Sequence, residues 1–362
     1  MDLGIYGLHI KNVIIDNNEI AYTGGYAIEI RNATAEYNKL EKSNLKITNN
    51  NVHDTSSVKI WGGAAISLEK IVGSTIAYNH IYNAPRVGIY FTGNDNDIEY
   101  NYIHDINQKT EDSSAIYTQG APNWPSWGNI IRKNIIDGTG GYCFDDIQQK
   151  WVSPCYTWGI YLDGLASGTT VDGNTVIGAF RGGMLINGGV YNTITNNTII
   201  GSLNYSQMQF SIGHVPYSTI LQDRYDELMK LKEEVPQFYE KYPDLFDIEN
   251  NPPHCGFMAH NEFKNNTIIY PENKTNLYEA LCLDYETTQI DNNIYWSGYE
   301  EVIAYVSELN ATDDLVTKST TIDDWKNLGF DKNSTDISSW YNSEPVFNNL
   351  RNWDKITFTI LV

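Results

Sequence analysis

A six-residue frame (apolar, two variable, Asn, one variable, apolar) recurs nine times and constrains this chain more than any other feature. It occupies Ile15 to Ile20 with Asn18, Ile47 to Val52 with Asn50, Ile76 to Ile81 with Asn79, and Ile98 to Ile103 with Asn101. It continues at Ile131 to Ile136 with Asn134, Val171 to Val176 with Asn174, Ile194 to Ile199 with Asn197, Phe263 to Ile268 with Asn266, and Ile290 to Tyr295 with Asn293. The closest spacings, Asn79 to Asn101 and Asn174 to Asn197, are 22 and 23 residues. That is the length of one three-sided coil, and no regular Leu frame of a leucine-rich repeat accompanies it. An Asn at the same corner of every coil bonds backbone groups of its own turn and stacks amide on amide with the next coil. The flanking Ile and Val then point inward at period two. The expected fold is all-β: a right-handed parallel β-helix, one elongated solenoid rather than two cores.

A second column precedes several of these corners, as in Ala27-Ile28-Glu29-Ile30-Arg31, Ala115-Ile116-Tyr117-Thr118-Gln119, Gly159-Ile160-Tyr161-Leu162-Asp163 and Gly183-Met184-Leu185-Ile186-Asn187. Its second and fourth residues belong to the core and its third and fifth face out. Stacked, the outward residues make a stripe of Tyr90, Tyr117 and Tyr161 beside Thr92, Gln119, Asp163 and Asn187.

The spacing breaks twice. Between Asn134 and Asn174 the excess carries Gly140, Gly141, Asp145, Asp146, Trp151 and Trp158, which reads as a long loop over the outer face. Between Asn197 and Asn266, Leu221, Tyr225, Leu228, Leu231, Val235 and Phe238 follow three- and four-residue steps. That is an amphipathic helix or helix pair, interrupted at Pro236 and Pro243. The organisation is therefore coils over 1–200 and 259–300, a helical insertion over 201–258, and a C-terminal cap and tail over 301–362.

The net charge of −21 repels a phosphate backbone, so nucleic acid is not a partner. The same repulsion disfavours polyanionic glycans unless Ca²⁺ bridges the charges, leaving neutral glycans. Cys143, Cys155, Cys255 and Cys282 make no disulfide scaffold; a Cys143–Cys155 bridge and four buried thiols both stay open. No apolar run reaches membrane-span length, and Met1 to Ile10 lacks a signal-peptide pattern although strand-like sequence starts at Leu3. The expectation is a secreted or cell-surface monomer whose signal and N-terminal cap precede this chain.

No nucleophile elbow, HExxH pair, P-loop or dinucleotide fingerprint occurs. His53, His80, His104, His214, His254 and His260 lack metal-ligand spacing and read as turn or surface residues, so neither metal nor cofactor is expected. Carboxylates and aromatics on the stripe remain. Asp163 is either a general acid or base or a turn aspartate capping backbone amides. Asp112, three residues before the neighbouring strand's Ala115, is either its partner or an ordinary loop acid. Glycoside hydrolysis needs two carboxyl groups roughly 5 to 9.5 Å apart. A fully extended chain separates these two by about 23 Å along the strand, so a sharp bend before Ala115 brings them together or the partner is Asp145, Asp146 or Glu69. Trp124, Trp127, Trp151 and Trp158 flank Asp163 in loops and either stack on sugar faces or merely cover the solenoid.

Several blocks then resemble the right-handed β-helix proteins grouped with glycoside hydrolase family 141. They are Asp112-Ser113-Ser114-Ala115-Ile116-Tyr117-Thr118, Gly159-Ile160-Tyr161-Leu162-Asp163-Gly164, Leu185-Ile186-Asn187-Gly188-Gly189, Lys241-Tyr242-Pro243-Asp244-Leu245 and Asp291-Asn292-Asn293-Ile294-Tyr295-Trp296. The similarity runs from about residue 45 to the end. Ser113-Ser114 replaces the usual glycines, and Gly164 stands where a second acid is common. The resemblance implies a secreted hydrolase of fucosylated glycans or xylan, with Asp112 and Asp163 as its catalytic pair. Tyr117, Gln119, Trp124, Trp127, Trp158, Tyr161 and Asn187 are the expected substrate contacts. Two other classes stay open. A uronate lyase or epimerase needs a base and a cation, for which Arg132 and Arg181 are the nearby arginines; a non-catalytic glycan-binding solenoid needs neither.

Overall fold

A computed structural model describes residues 3–121, 125–202, 205–211, 218–249, 258–270, 276–281, 283–297, 303–309 and 315–338. Each coil adds one strand to each of three sheets in turn. Among the described residues, sheet A has eleven strands, from Ile5–Leu8 to Leu315–Thr321; sheet B has nine, from Ile14–Asp16 to Gln289–Asp291; sheet C has ten, from Glu19–Ala21 to Thr335–Asp336. Within each sheet the coil strands pair in parallel, giving a right-handed parallel β-helix. Identical core positions stack in register, so Ile47, Ile76, Ile98 and Ile131 lie one above the other, all fully buried.

The repeated Asn makes the corner between sheets B and C. The residue just before it is left-handed throughout: φ is 58° at Tyr78, 53° at Tyr100, 55° at Lys133 and 58° at Asn196. One such residue turns the chain sharply between strands, at a steric cost of about 1–2 kcal/mol for a non-glycine side chain. The Asn that follows offsets that cost. Asn134 accepts, on Oδ1, hydrogen bonds from the backbone N–H and side-chain amide of Asn101, at 3.0 and 2.9 Å. Its own amide donates to Asn174 Oδ1 and to the Ile98 carbonyl, both at 2.9 Å. The ladder runs unbroken from Asn18 to Asn293 and ends on Asp331, which accepts from Asn293 at 3.1 Å. Shorter runs at the corner between sheets A and B, Asn96 to Asn129 and Asn192 to Asn261, escape the sequence frame because their flanking residues vary.

The helical insertion comprises Ser218–Glu234, Pro236–Lys241 and a 3-10 turn at Pro243–Glu249. Leu228, Leu231, Val235 and Phe238 bury their apolar face against Tyr37, Val72, Trp127 and Val190. It therefore lies along the edge between sheets A and B. At the C-terminal end, Ile303–Leu309 and Leu315–Thr321 form an antiparallel hairpin followed by the helix Ile322–Asn327. Trp325 is fully buried and stacks on Tyr278 with ring centroids 5.1 Å apart, closing the last coil. Residues 339–362 of the expected cap lie outside the described residues.

Candidate active site on the outer face of sheet A

Strand register stacks the outward residues of sheet A in one column: Glu29, Ser67, Tyr90, Tyr117, Tyr161, Leu185, Gln209, Glu279 and Tyr305. The rings of Tyr90 and Tyr117 are 5.6 Å apart, and those of Tyr117 and Tyr161 are 5.0 Å apart. Thr92 is fully buried. The neighbouring strand carries one extra residue between Leu68 and Ile71, opposite the step from Phe91 to Gly93, and the Thr92 hydroxyl accepts from the Lys70 N–H there at 2.8 Å. Gly93 permits this offset: its φ is 112°, and a Cβ there would lie 2.0 Å from the Ile71 carbonyl oxygen.

Asp163 ends the strand Thr157–Asp163, two residues beyond Tyr161 and in register with Gln119. Three donors converge on its carboxylate. The Tyr117 hydroxyl donates to Oδ2, while Oδ1 accepts from the Gly164 N–H at 2.7 Å and the Asn187 amide at 2.8 Å. The same amide donates to the Tyr161 hydroxyl at 3.2 Å. Tyr117 and Tyr161 are both held protonated, chiefly by burial and next by the Asp163 charge. Asp163 thus caps one backbone amide, as a turn aspartate does, but two side chains from neighbouring coils also fix it in the column.

Asp112 stands just before the strand Ser113–Gln119 with φ at 48°, and its N–H donates to the Tyr156 carbonyl at 2.9 Å. That left-handed residue supplies a bend at the strand's start. The side chain keeps an exposed surface, yet surrounding protein partly desolvates it. Burial raises its proton affinity, the Asp163 charge raises it further, and Arg86 opposes both. The two carboxyl groups therefore interact through space despite their separation along an extended strand. Arg86 also donates to the carbonyls of Glu111 and Asp112, each at 3.1 Å, and fixes this turn.

The other candidates scatter. Asp145 accepts from the N–H groups of Ile147 and Gln148, both at 2.9 Å, and so caps the turn of its own hairpin. That hairpin, Cys143–Asp145 with Lys150–Val152, occupies the expected loop, and Cys143 and Cys155 are disulfide-bonded across it with Cα atoms 6.1 Å apart. Glu69 lies 3.7 Å from Arg31, near the start of the solenoid. Trp127 is not a sugar platform: it is buried under the insertion against Tyr191 and Tyr242. Trp158 is a strand residue rather than a loop residue; 1% exposed, it donates to Gln209 at 3.0 Å and forms the floor of the face. Trp151, on the hairpin, is exposed and stacks on Tyr142. Trp124, His214 and His254 lie outside the described residues. His53, His80 and His104 are not turn residues; they stack with Tyr82 and Tyr102 on the outer face of sheet C. Among the described residues, the one grouping with metal-ligand proximity is Glu111 with Cys143 and Cys155, and the disulfide occupies both sulfurs.

Sequence reasoning named Arg181 only as a possible cation for a uronate enzyme and missed Glu279 beside it on this face. Arg132 pairs with Glu99 on sheet B, but Arg181 lies at the rim of sheet A with its guanidinium 4.5 Å from the Tyr156 ring centroid and 4.3 Å from that of Tyr205. Close by, Glu279 is 5% exposed and lies near Tyr205. Burial pushes its pKa up to about 7 against the pull of Arg181. Gln209, its neighbour in the column, was likewise unseen because its strand, Ser206–Ser211, is parted from the next Asn frame by the helical insertion.

A family model described as "Right handed beta helix region" matches residues 2–150. Among solved structures, the chain is similar to the A-module of the mannuronan C-5 epimerase AlgE4 from Azotobacter vinelandii, at 13% identity and a TM-score of 0.45 over 90% of this chain and 64% of that one. It is similar to a DFA-IIIase from Arthrobacter chlorophenolicus A6, at 12% identity and a TM-score of 0.38 over 80% and 58%. A third is the tailspike protein of Escherichia coli bacteriophage HK620, at 9% identity and a TM-score of 0.43 over 83% and 52%. The chain thus spans less than two thirds of each of those chains, and the likeness is one of fold. A search of curated proteins found no match. Among the described residues, no helix is long and apolar enough to cross a membrane.

Proposed function

We propose that this chain is a secreted or cell-surface glycoside hydrolase of a neutral polysaccharide, xylan or a fucosylated glycan. Asp112 donates the proton to the departing glycosidic oxygen, and Asp163 acts from the other side as base toward water or as nucleophile. The observation that carries this reading is the contrast between the two carboxyl groups on one face. Asp112 has a raised proton affinity that Asp163 itself helps to create, whereas Asp163 is an acceptor held by Tyr117, Asn187 and the Gly164 N–H. A carboxyl inclined to keep its proton beside one that already accepts hydrogen bonds suits acid and base roles at a single pH. The resemblance to family 141 supports the same pair, and the net charge of −21 favours a neutral substrate.

Asp163→Asn keeps the side chain's size but removes its capacity to accept a proton or attack carbon. Losing such a group costs about 10²- to 10⁴-fold in rate. Hydrolysis of aryl fucosides, aryl xylosides and xylan by Asp163→Asn, Asp112→Asn and Glu69→Gln, each checked for intact folding, tests the assignment. The two aspartate variants lose activity and Glu69→Gln retains it. Full activity in Asp163→Asn sinks the proposal; activity kept only in Asp112→Asn gives the proton-donor role to another acid.

A further inference from the structure

Arg181 and Glu279 face one another without forming an ion pair. They are near enough that the guanidinium lowers the proton affinity of the carboxyl, yet no N–O contact within salt-bridge range joins them among the described residues. Each is instead held by neighbours. Arg181 lies between the rings of Tyr156 and Tyr205, with Trp158 at 5.8 Å, and Glu279 lies near Tyr205. Each also retains a buried polar atom without a hydrogen-bond partner, Arg181 Nε and Glu279 Oε2. A buried donor and a buried acceptor left unmade cost about 1–3 kcal/mol each, a cost that a ligand supplying both partners would remove.

We propose that Arg181 and Glu279 form a sugar subsite, in which adjacent hydroxyls of a neutral ring bridge the guanidinium and the carboxyl beside Trp158. A hydroxyl both donates and accepts, so two neighbouring hydroxyls satisfy both orphan atoms at once. A carboxylate-bearing sugar satisfies Arg181 but meets Glu279, and Tyr156 senses Asp112 and Glu111 as well as Glu279. The acidic surroundings therefore select a neutral ring. Glu279 lies three strands beyond Asp163 in sheet A, about 14 Å at the usual strand spacing. The ligand is consequently an oligomer lying across the coils rather than a single sugar. This inference rests on the reading of the face as a hydrolase's glycan site and adds where a distal ring is gripped and of what class it is.

The test is calorimetric titration of xylohexaose, a fucosylated xyloglucan oligosaccharide and hexagalacturonate into Asp163→Asn, alone and combined with Arg181→Lys or Glu279→Gln. The expected result is that a neutral oligosaccharide binds and loses about tenfold or more in affinity in either combined variant, the value of one charge-assisted hydrogen bond. The corresponding disaccharide binds all three proteins alike. Unchanged affinity in both combined variants, preferred binding of hexagalacturonate, or no binding of either neutral oligosaccharide overturns the proposal. Arg181→Lys keeps the charge at a rim position, so it decides the matter if Glu279→Gln does not fold. Failure of the hydrolase reading appears separately, as full turnover by Asp163→Asn.

Discussion

The corner between sheets B and C and the outer face of sheet A are both built from polar side chains stacked coil upon coil, yet they spend their hydrogen bonds differently. At the corner, Asn134 uses its donors and acceptor within the protein, and the same pattern repeats on Asn101 and Asn174. Nothing there is left to offer a ligand. On sheet A the polar groups come from dissimilar residues, and several atoms remain unpaired: Asn187 Oδ1, Arg181 Nε and Glu279 Oε2. Buried polar groups are normally satisfied, so unpaired atoms beside a carboxylate and a row of aromatic rings are capacity that a ligand outside the chain can use. Identity of residue type does not separate the two roles, since Asn serves in both; saturation of its hydrogen bonds does.

The sharpest way to break this comparison is to exchange the expected consequences. Asp163→Asn is expected to cost 10²- to 10⁴-fold in turnover with little change in melting, because its neighbours Tyr117 and Asn187 still find an amide to bond. Activity assays and thermal melts of one preparation check both halves. Asn134→Ala is expected to do the reverse. It strips partners from the Asn101 N–H groups and the Ile98 carbonyl, destabilising by about 1 to 3 kcal/mol while leaving turnover of the folded fraction intact. Denaturant titration with a paired activity measurement reads this out. A ladder variant that melts normally, or a stripe variant that unfolds, makes the division between the regions untenable.

This division also explains which parts of the molecule could be read in the sequence. The ladder is local and repetitive: each Asn sits between two core Ile or Val residues, so one frame reveals corner, core and coil length together. The strained corner residues fit that reading although Tyr78, Tyr100 and Lys133 carry no turn signature, because the ladder Asn after them stabilises the bend. The site is not local. Arg181 and Glu279 are separated by the whole helical insertion, and only stacking of the strands Gly182–Asn187, Ser206–Ser211 and Asn276–Leu281 brings them near one another. Trp127 was ambiguous for the complementary reason. An aromatic after a proline-containing loop has no period to show whether it faces a groove or a docked helix, and here it faces the helix insertion. Asp112 and Asp163 were visible as strand-end acids, while the left-handed φ of Asp112 that bends the chain is one that Asp tolerates without announcing it.

The smallest effect concerns Glu279, and it sharpens the comparison by testing whether the face of sheet A carries a cost that the ladder does not. Its pKa in the folded chain is raised from an ordinary 4.5 to about 7, so the folded state holds a proton that the unfolded chain releases. The stability contributed by this group is fully present below pH 4.5 and is lost as pH rises through 7. The loss is of order 1–3 kcal/mol, a shift of this size being converted at about 1.4 kcal/mol per pH unit and discounted for relaxation. Glu279→Gln cannot ionise, so its stability relative to the unsubstituted protein should improve between pH 5 and pH 8. Arg181→Lys leaves that slope in place, because a cation remains beside the carboxyl. Melting curves of the three proteins across this range settle the point: parallel pH profiles for Glu279→Gln and the unsubstituted chain would mean that Glu279 is already charged when folded and that sheet A bears no ionisation cost for its function.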